Sequence, residues 1–239
     1  MQLRIPDSLG ADFYEGVKGF RVLPERLRGE VVFHTSDSVA FRQLTGDLLT
    51  HFRQSTYLAV SFDSLQILGS VLFATFYLGP SMRWVQLRPD GEENRRWLEA
   101  AGYREKLFTN VPLQYDALLE LERALLEQAE NNGYPFARVW LDSVEVQGNG
   151  RVSAVLRLDR NRFFSVKALK IIGDVKLPGA FLPNYLGIKP GEPYSRAKVL
   201  RLRDQLRSLL FLESTGNPTV TFAGEEATIN LFLQKKRAS

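Results

Sequence analysis

Few side chains in this sequence could do chemistry, and their spacing argues against most of it. The two histidines, His34 and His51, have no partner at Glu-x-x-His or His-x-x-x-His spacing. They read as surface or satisfied histidines rather than as metal ligands or bases. Cysteine is absent, which removes disulfides, thiol nucleophiles and cysteine-based zinc or iron–sulfur sites. Glu120, Glu127 and Glu130 fall on the polar side of one predicted helix. Paired carboxylates can act as general acid and base, but on a solvated helix face they read as solvation. Gly148-Asn149-Gly150 has the composition of a hairpin turn, not of a phosphate cradle. Trp84, Trp97 and Trp140 could form a ligand platform; Trp84 and Trp140 fall on predicted strands of one unit and read as core. No catalytic residue, metal or cofactor is expected.

Binding chemistry is better represented. Residues 1–80 carry 7 basic and 8 acidic side chains, residues 81–161 carry 11 and 13, and residues 162–239 carry 13 and 6. The net charge of +4 is thus −1, −2 and +7 by thirds. Lys198, Arg201, Arg207, Lys235 and Lys236 are the candidates for meeting an acidic partner or an anionic membrane surface, with a plain solvated face as the alternative. Nucleic acid is not expected, because aromatic residues are not interleaved with the basic ones.

The elements that must position these residues repeat. Tyr57, Tyr134 and Phe211 each follow a helix-like segment and open a strand-like one, and both intervals are 77 residues. A small turn follows each, at 68–70, 148–150 and 224–226, and apolar alternation then resumes. The last unit reads as a strand over 163–172, a short helix over 178–186 ending at Gly187, a Ser195-capped helix over 196–210, and a hairpin. On that helix Val199, Leu202, Leu206 and Leu209 form one apolar stripe. The middle unit has a strand at 81–87, helices over 92–101 and 115–131, and a hairpin over 135–146 and 151–158. Its second helix puts Leu118, Leu121, Leu125 and Ala129 on the core side. The first unit shows a helix over 38–54 and a hairpin over 57–65 and 70–78; its opening strand is 30–34 or something earlier, and 1–28 is unplaced. The expectation is α+β: three tandem β-α-α-β-β modules at 1–80, 81–161 and 162–239, each a small three-stranded mixed sheet covered by two helices.

Residues 166–233, with Leu169-Lys170-Ile171-Ile172-Gly173 and then Leu186-Gly187-Ile188-Lys189-Pro190-Gly191-Glu192-Pro193-Tyr194-Ser195, resemble a POTRA (polypeptide-transport-associated) domain of the BamA/TamA outer-membrane assembly family. Residues 82–159 resemble a second at Asn131-Asn132-Gly133-Tyr134-Pro135-Phe136, and 29–79 a third that lacks the Gly-x-Pro-Tyr segment and has Thr56-Tyr57 in place of Gly-aromatic. The resemblance implies a periplasmic arm that binds unfolded outer-membrane protein clients and accessory assembly proteins, on a longer protein with a signal peptide before the arm and an outer-membrane β-barrel after it. Lys235-Lys236-Arg237 would then lie near the membrane. It also implies that the strand after each long helix lies at a sheet edge, where an extended client can add by main-chain hydrogen bonds. The candidate client-binding residues are Tyr57, Ala59, Ser61, Phe136, Arg138, Trp140, Thr219 and Thr221. Two alternatives stay open: a POTRA-bearing protein of another system, such as a two-partner secretion transporter or a division-septum protein, and a free-standing soluble binding protein.

Overall fold

In the computed structural model, residues 2–6, 10–18, 20–22, 24–27 and 30–236 are described, and they form six α-helices and three sheets. The internal contacts define two compact units, one of residues 1–88, 103–120 and 141–155, the other of residues 89–102, 121–140 and 156–239.

The first sheet is built from β1 (Gln2–Pro6), β2 (Glu25–Leu27), β3 (Glu30–His34), β4 (Ser61–Leu68) and β5 (Val71–Tyr77), in the order β2-β3-β1-β5-β4. Helices α1 (Gly10–Val17) and α2 (Ser38–Gln54) supply its apolar cover. Asp37 starts α2 by accepting the amides of Val39 and Ala40 on one carboxylate oxygen, both at 2.8 Å. Those bonds, the Ala40 amide foremost, hold its carboxyl below the usual aspartate range. Steps of three and four residues then bury Phe41, Leu44, Leu48 and Phe52. Leu48 and Phe52 are fully buried, each stabilising the unit by about 1.5–3 kcal/mol. Phe52 stacks on Phe13 at 5.4 Å and is tilted against Phe76 at 5.6 Å.

The opening strand of this unit is Gln2–Pro6, the earlier of the two sequence alternatives. It runs parallel to β5, with Leu3 opposite Leu72, and its Leu3 and Ile5 are wholly buried. Residues 30–34 belong to an inserted hairpin, β2–β3, whose β3 pairs antiparallel with the other side of β1, Leu3 opposite Phe33. Gln2–Pro6 alternates apolar residues and Glu30–His34 carries an unbroken run of three, and either pattern suits a strand, so pattern alone did not separate them.

The middle sheet has the order β6-β8-β7, from β6 (Arg83–Pro89), β7 (Arg138–Val146) and β8 (Arg151–Asp159). Helix α3 (Gly91–Ala100), a 3₁₀ turn at Glu105–Leu107 and α4 (Tyr115–Asn131) come between β6 and β7 in the chain. Leu118, Leu121, Leu125 and Ala129 of α4 are buried, as their spacing predicts. Trp84 is also buried, and the Tyr103 hydroxyl donates to the Leu87 carbonyl at 2.7 Å.

The last sheet contains β9 (Ser165–Ile172), β10 (Leu212–Ser214), β11 (Thr219–Ala223) and β12 (Glu226–Lys235). Strand β9 pairs parallel with β12, and β10 and β11 pair antiparallel with it. This repeats the relation of opening to closing strand seen in the first sheet, where β1 lies parallel to β5. Helices α5 (Phe181–Leu186) and α6 (Arg196–Arg207) pack Leu182, Leu186, Leu202 and Leu206 against Ile229, Leu231 and Leu233. The Ser195 hydroxyl caps α6 by accepting the Lys198 amide. Gly173 follows β9 at φ 138°, and a Cβ there would stand 1.9 Å from the Leu233 carbonyl oxygen, so only glycine allows the two chains to approach. The first sheet therefore has five strands and the last four, each keeping the expected three and adding to them.

Candidate functional site

The three expected edge strands stand at sheet ends: β4, β7 and β11 each close the strand order of their sheet. Such an end strand presents main-chain N–H and C=O groups without a sheet neighbour on one side. The strands begin later than the sequence suggests. Tyr57 and Ala59 precede β4 in a turn, and Phe136 precedes β7 in the matching turn. The reason is a shared backbone device. The Tyr57 amide donates to the Phe52 carbonyl at 3.2 Å, and the Tyr134 amide to the Ala129 carbonyl at 3.0 Å. Each aromatic thus terminates its helix by satisfying a final carbonyl, and the strand starts four residues on, at Ser61 and at Arg138. Phe211 lies in the turn just before β10.

Strand β7 offers the best-formed edge. Trp140 is 40% exposed, which corrects the expectation that it is core; Val144 and Val146 beyond it are exposed too. An open cleft of about 550 Å³ runs beside the strand, lined by Leu126, Ala137, Arg138, Val139, Trp140 and Asp159. Its apolar lining suits the alternate side chains of an extended peptide, and the exposed Arg138 discourages indiscriminate pairing. Ser143, at φ 49°, turns its amide onto the Asp142 carboxylate at 2.6 Å, an irregularity inside the strand.

The other edges differ. Strand β4 leaves Leu65, Ile67 and Leu68 exposed, with a register shift between Phe62 and Ser64. Ser61, at its start, donates its hydroxyl to Asp63. Strand β11 is shorter, and the hydroxyls of Thr219 and Thr221 accept from the Asn230 amide at 3.3 and 3.1 Å. Phe136 is not on an edge at all: its ring meets Phe164 at 5.5 Å and Phe222 at 5.0 Å.

The basic candidates separate as well. Lys198 donates to the Gly187 carbonyl at 3.1 Å and to Glu192 at 2.8 Å, so it braces the segment before α6. Arg201 is exposed. Arg207 and Lys236 line a common cleft with Arg203, which sequence spacing did not single out. The Lys235 amide donates to Asp174. Arg237 lies outside the described residues.

Residues set aside as unreactive have structural partners. Glu130 pairs with Arg196 at 2.8 Å, and this contact strengthens the guanidinium's hold on its proton. Trp97 and Tyr134 share the Arg160 guanidinium, 5.3 Å from each ring. His34 faces Glu25 at 3.4 Å, and His51 meets the Gly16 carbonyl. Among the described residues no group of three or more His, Cys, Asp or Glu side chains could hold a metal, and no helix is long and apolar enough to cross a membrane.

No protein-family description and no curated protein matches the sequence. Among solved structures, POTRA3-5 of Haemophilus influenzae BamA matches with a TM-score of 0.56 at 13% identity, covering 97% of this chain and 94% of that one. POTRA1-3 of the periplasmic domain of Omp85 from Anabaena matches more loosely, at a TM-score of 0.35 and 13% identity, over 98% of this chain and 94% of that one. CdiB from Acinetobacter baumannii gives 0.36 at 11% identity, over 82% of this chain and 37% of CdiB. The first likeness defines the class of fold: this chain has the fold of tandem POTRA domains.

Proposed function

We propose that the chain is the periplasmic POTRA arm of an outer-membrane β-barrel assembly or secretion protein, and that it binds unfolded outer-membrane protein segments by strand addition. It acts as a scaffold and not as a catalyst. Its modules are residues 1–80, 81–161 and 162–239, and in the full-length protein a β-barrel follows them. The fold likeness to BamA POTRA3-5 supports the class. The observation that carries the mechanism is the β7 edge with its apolar cleft around Trp140. Main-chain hydrogen bonds at such an edge do not depend on client sequence, while the cleft takes alternate apolar side chains. That combination suits a binder of many clients.

The test is an amide-resolved titration with a synthetic peptide of alternating apolar and polar residues, alongside the same peptide N-methylated along one edge. The expected outcome is shifts along residues 138–142 with the first peptide and none with the second. Val139→Pro and Trp140→Ala should each weaken binding about tenfold, since one hydrogen bond or one partly exposed ring accounts for about 1–1.5 kcal/mol. Equal binding of the methylated peptide, or full affinity in folded variants, would sink the strand-addition mechanism.

A further inference from the structure

A second cleft, of about 600 Å³, lies between α6 and the turn joining β10 to β11. We propose that it binds a phosphate group. Its walls carry Arg203, Arg207 and Lys236 against one carboxylate, Glu213. Arg203 and Arg207 are one helical turn apart, each next in sequence to a buried leucine, Leu202 and Leu206, so both lie on the same exposed flank of α6.

What separates these cations from their neighbours is pairing. Arg196, Lys198 and Lys167 each hold a carboxylate within 2.8 Å. Arg203 and the Lys236 side chain have no hydrogen-bond or ion-pair partner among the described residues, and Arg207 reaches Asp204 only at 4.0 Å. Glu213, the single acid of the cleft, accepts from the Gln234 amide at 2.9 Å. The amide N–H groups of Gly216 and Asn217, on the floor of the turn, also donate to no described residue.

Three converging positive charges repel one another unless an anion joins them. Glu213, the one carboxylate lining the cleft, leaves most of that charge unanswered. A phosphate carries up to two charges and three or more acceptor oxygens, enough for two arginine forks, an ammonium and main-chain amides. The walls are mostly polar, which fits a phosphate-bearing head rather than an apolar ligand. The group could come from a soluble phosphoester or from a phospholipid headgroup. This inference is independent of strand binding at β7.

The experiment uses the whole chain, isotope-labelled, at low salt. Glycerol phosphate is titrated while the Gly216 and Asn217 amides are followed, and retention is measured on vesicles of phosphatidylglycerol and of phosphatidylcholine. Saturable shifts at those amides with a Kd below about 1 mM are expected. They should vanish in Arg203→Gln/Arg207→Gln, both exposed positions, and persist in Arg201→Gln on the same helix. Retention on phosphatidylglycerol alone, lost in the double variant, assigns the lipid headgroup. Binding of glycerol phosphate without vesicle retention assigns a soluble ester. No saturable response to either probe overturns the site. So does an equal loss in Arg201→Gln, which would mark general attraction to a basic surface.

Discussion

Tyr57 and Tyr134 are 77 residues apart and make the same backbone hydrogen bond, yet their rings have different work. Tyr57 lies edge-on to Phe52, whereas Tyr134 meets Trp97, Phe163 and the Arg160 guanidinium. The interval was legible in the sequence because the backbone device recurs, and the ring environments were not because they depend on residues distant in the chain. Asp37 is a residue whose role is local enough to predict in full. Its folded-state pKa is lowered, so its charge contributes stability above the ordinary aspartate value of 3.8, and the contribution is lost as pH falls through the lowered value. Asn at this position keeps a cap without the charge. Urea unfolding of wild type and Asp37→Asn should therefore differ by a constant amount from neutral pH down to the ordinary aspartate range. The two should converge in stronger acid. A difference that does not change with pH would show that the charge itself contributes nothing.

Edge strands were foreseen as elements, but their starts and their exposed faces were not. Trp140 looked like core because tryptophan is large and apolar and its strand alternates. At a sheet end the same alternation leaves one face only partly covered, so an aromatic there is half in water. The β4 strand shows the effect more strongly. Leu65 and Ile67 stand opposite Ala74 and Leu72, both buried, yet are 53% and 67% exposed. The helical cover ends before it reaches them. Ile67→Lys should change unfolding free energy by no more than about 0.5 kcal/mol, because the side chain already lies mostly in water. It should also reduce concentration-dependent self-association in sedimentation, since a charge on an exposed edge blocks pairing. A large loss of stability would mean that Ile67 packs more tightly than its exposure indicates.

At the scale of the whole molecule, the α+β class with three small mixed sheets was the legible part. The two-unit contact pattern was not, because it divides residues 81–161, one repeat in the sequence, between both units. Gly133 is the centre of a main-chain link within the second unit. Its amide donates to the Tyr194 carbonyl at 2.9 Å, its carbonyl accepts from Phe164 at 2.7 Å, and Tyr194 in turn donates to Phe164 at 2.9 Å. Its φ is 92°, and a Cβ would fall 2.3 Å from the Phe163 ring. Gly133→Ala should cost about 2–3 kcal/mol and speed hydrogen exchange at the Phe164 and Tyr194 amides, leaving Leu3 and Ile5 in the first unit as protected as before. Slower exchange at Leu3 and Ile5 is not expected; faster exchange there would show that the two units open together. The inserted β2–β3 hairpin has a different kind of consequence. By occupying the far side of β1, it leaves the first sheet with only a three-residue strand at that end and one long free edge at β4. A sheet open on both sides can be extended without limit, copy after copy, into a fibre. In this sheet a strand laid on β4 leaves only the three-residue β2 at the far end for any further copy.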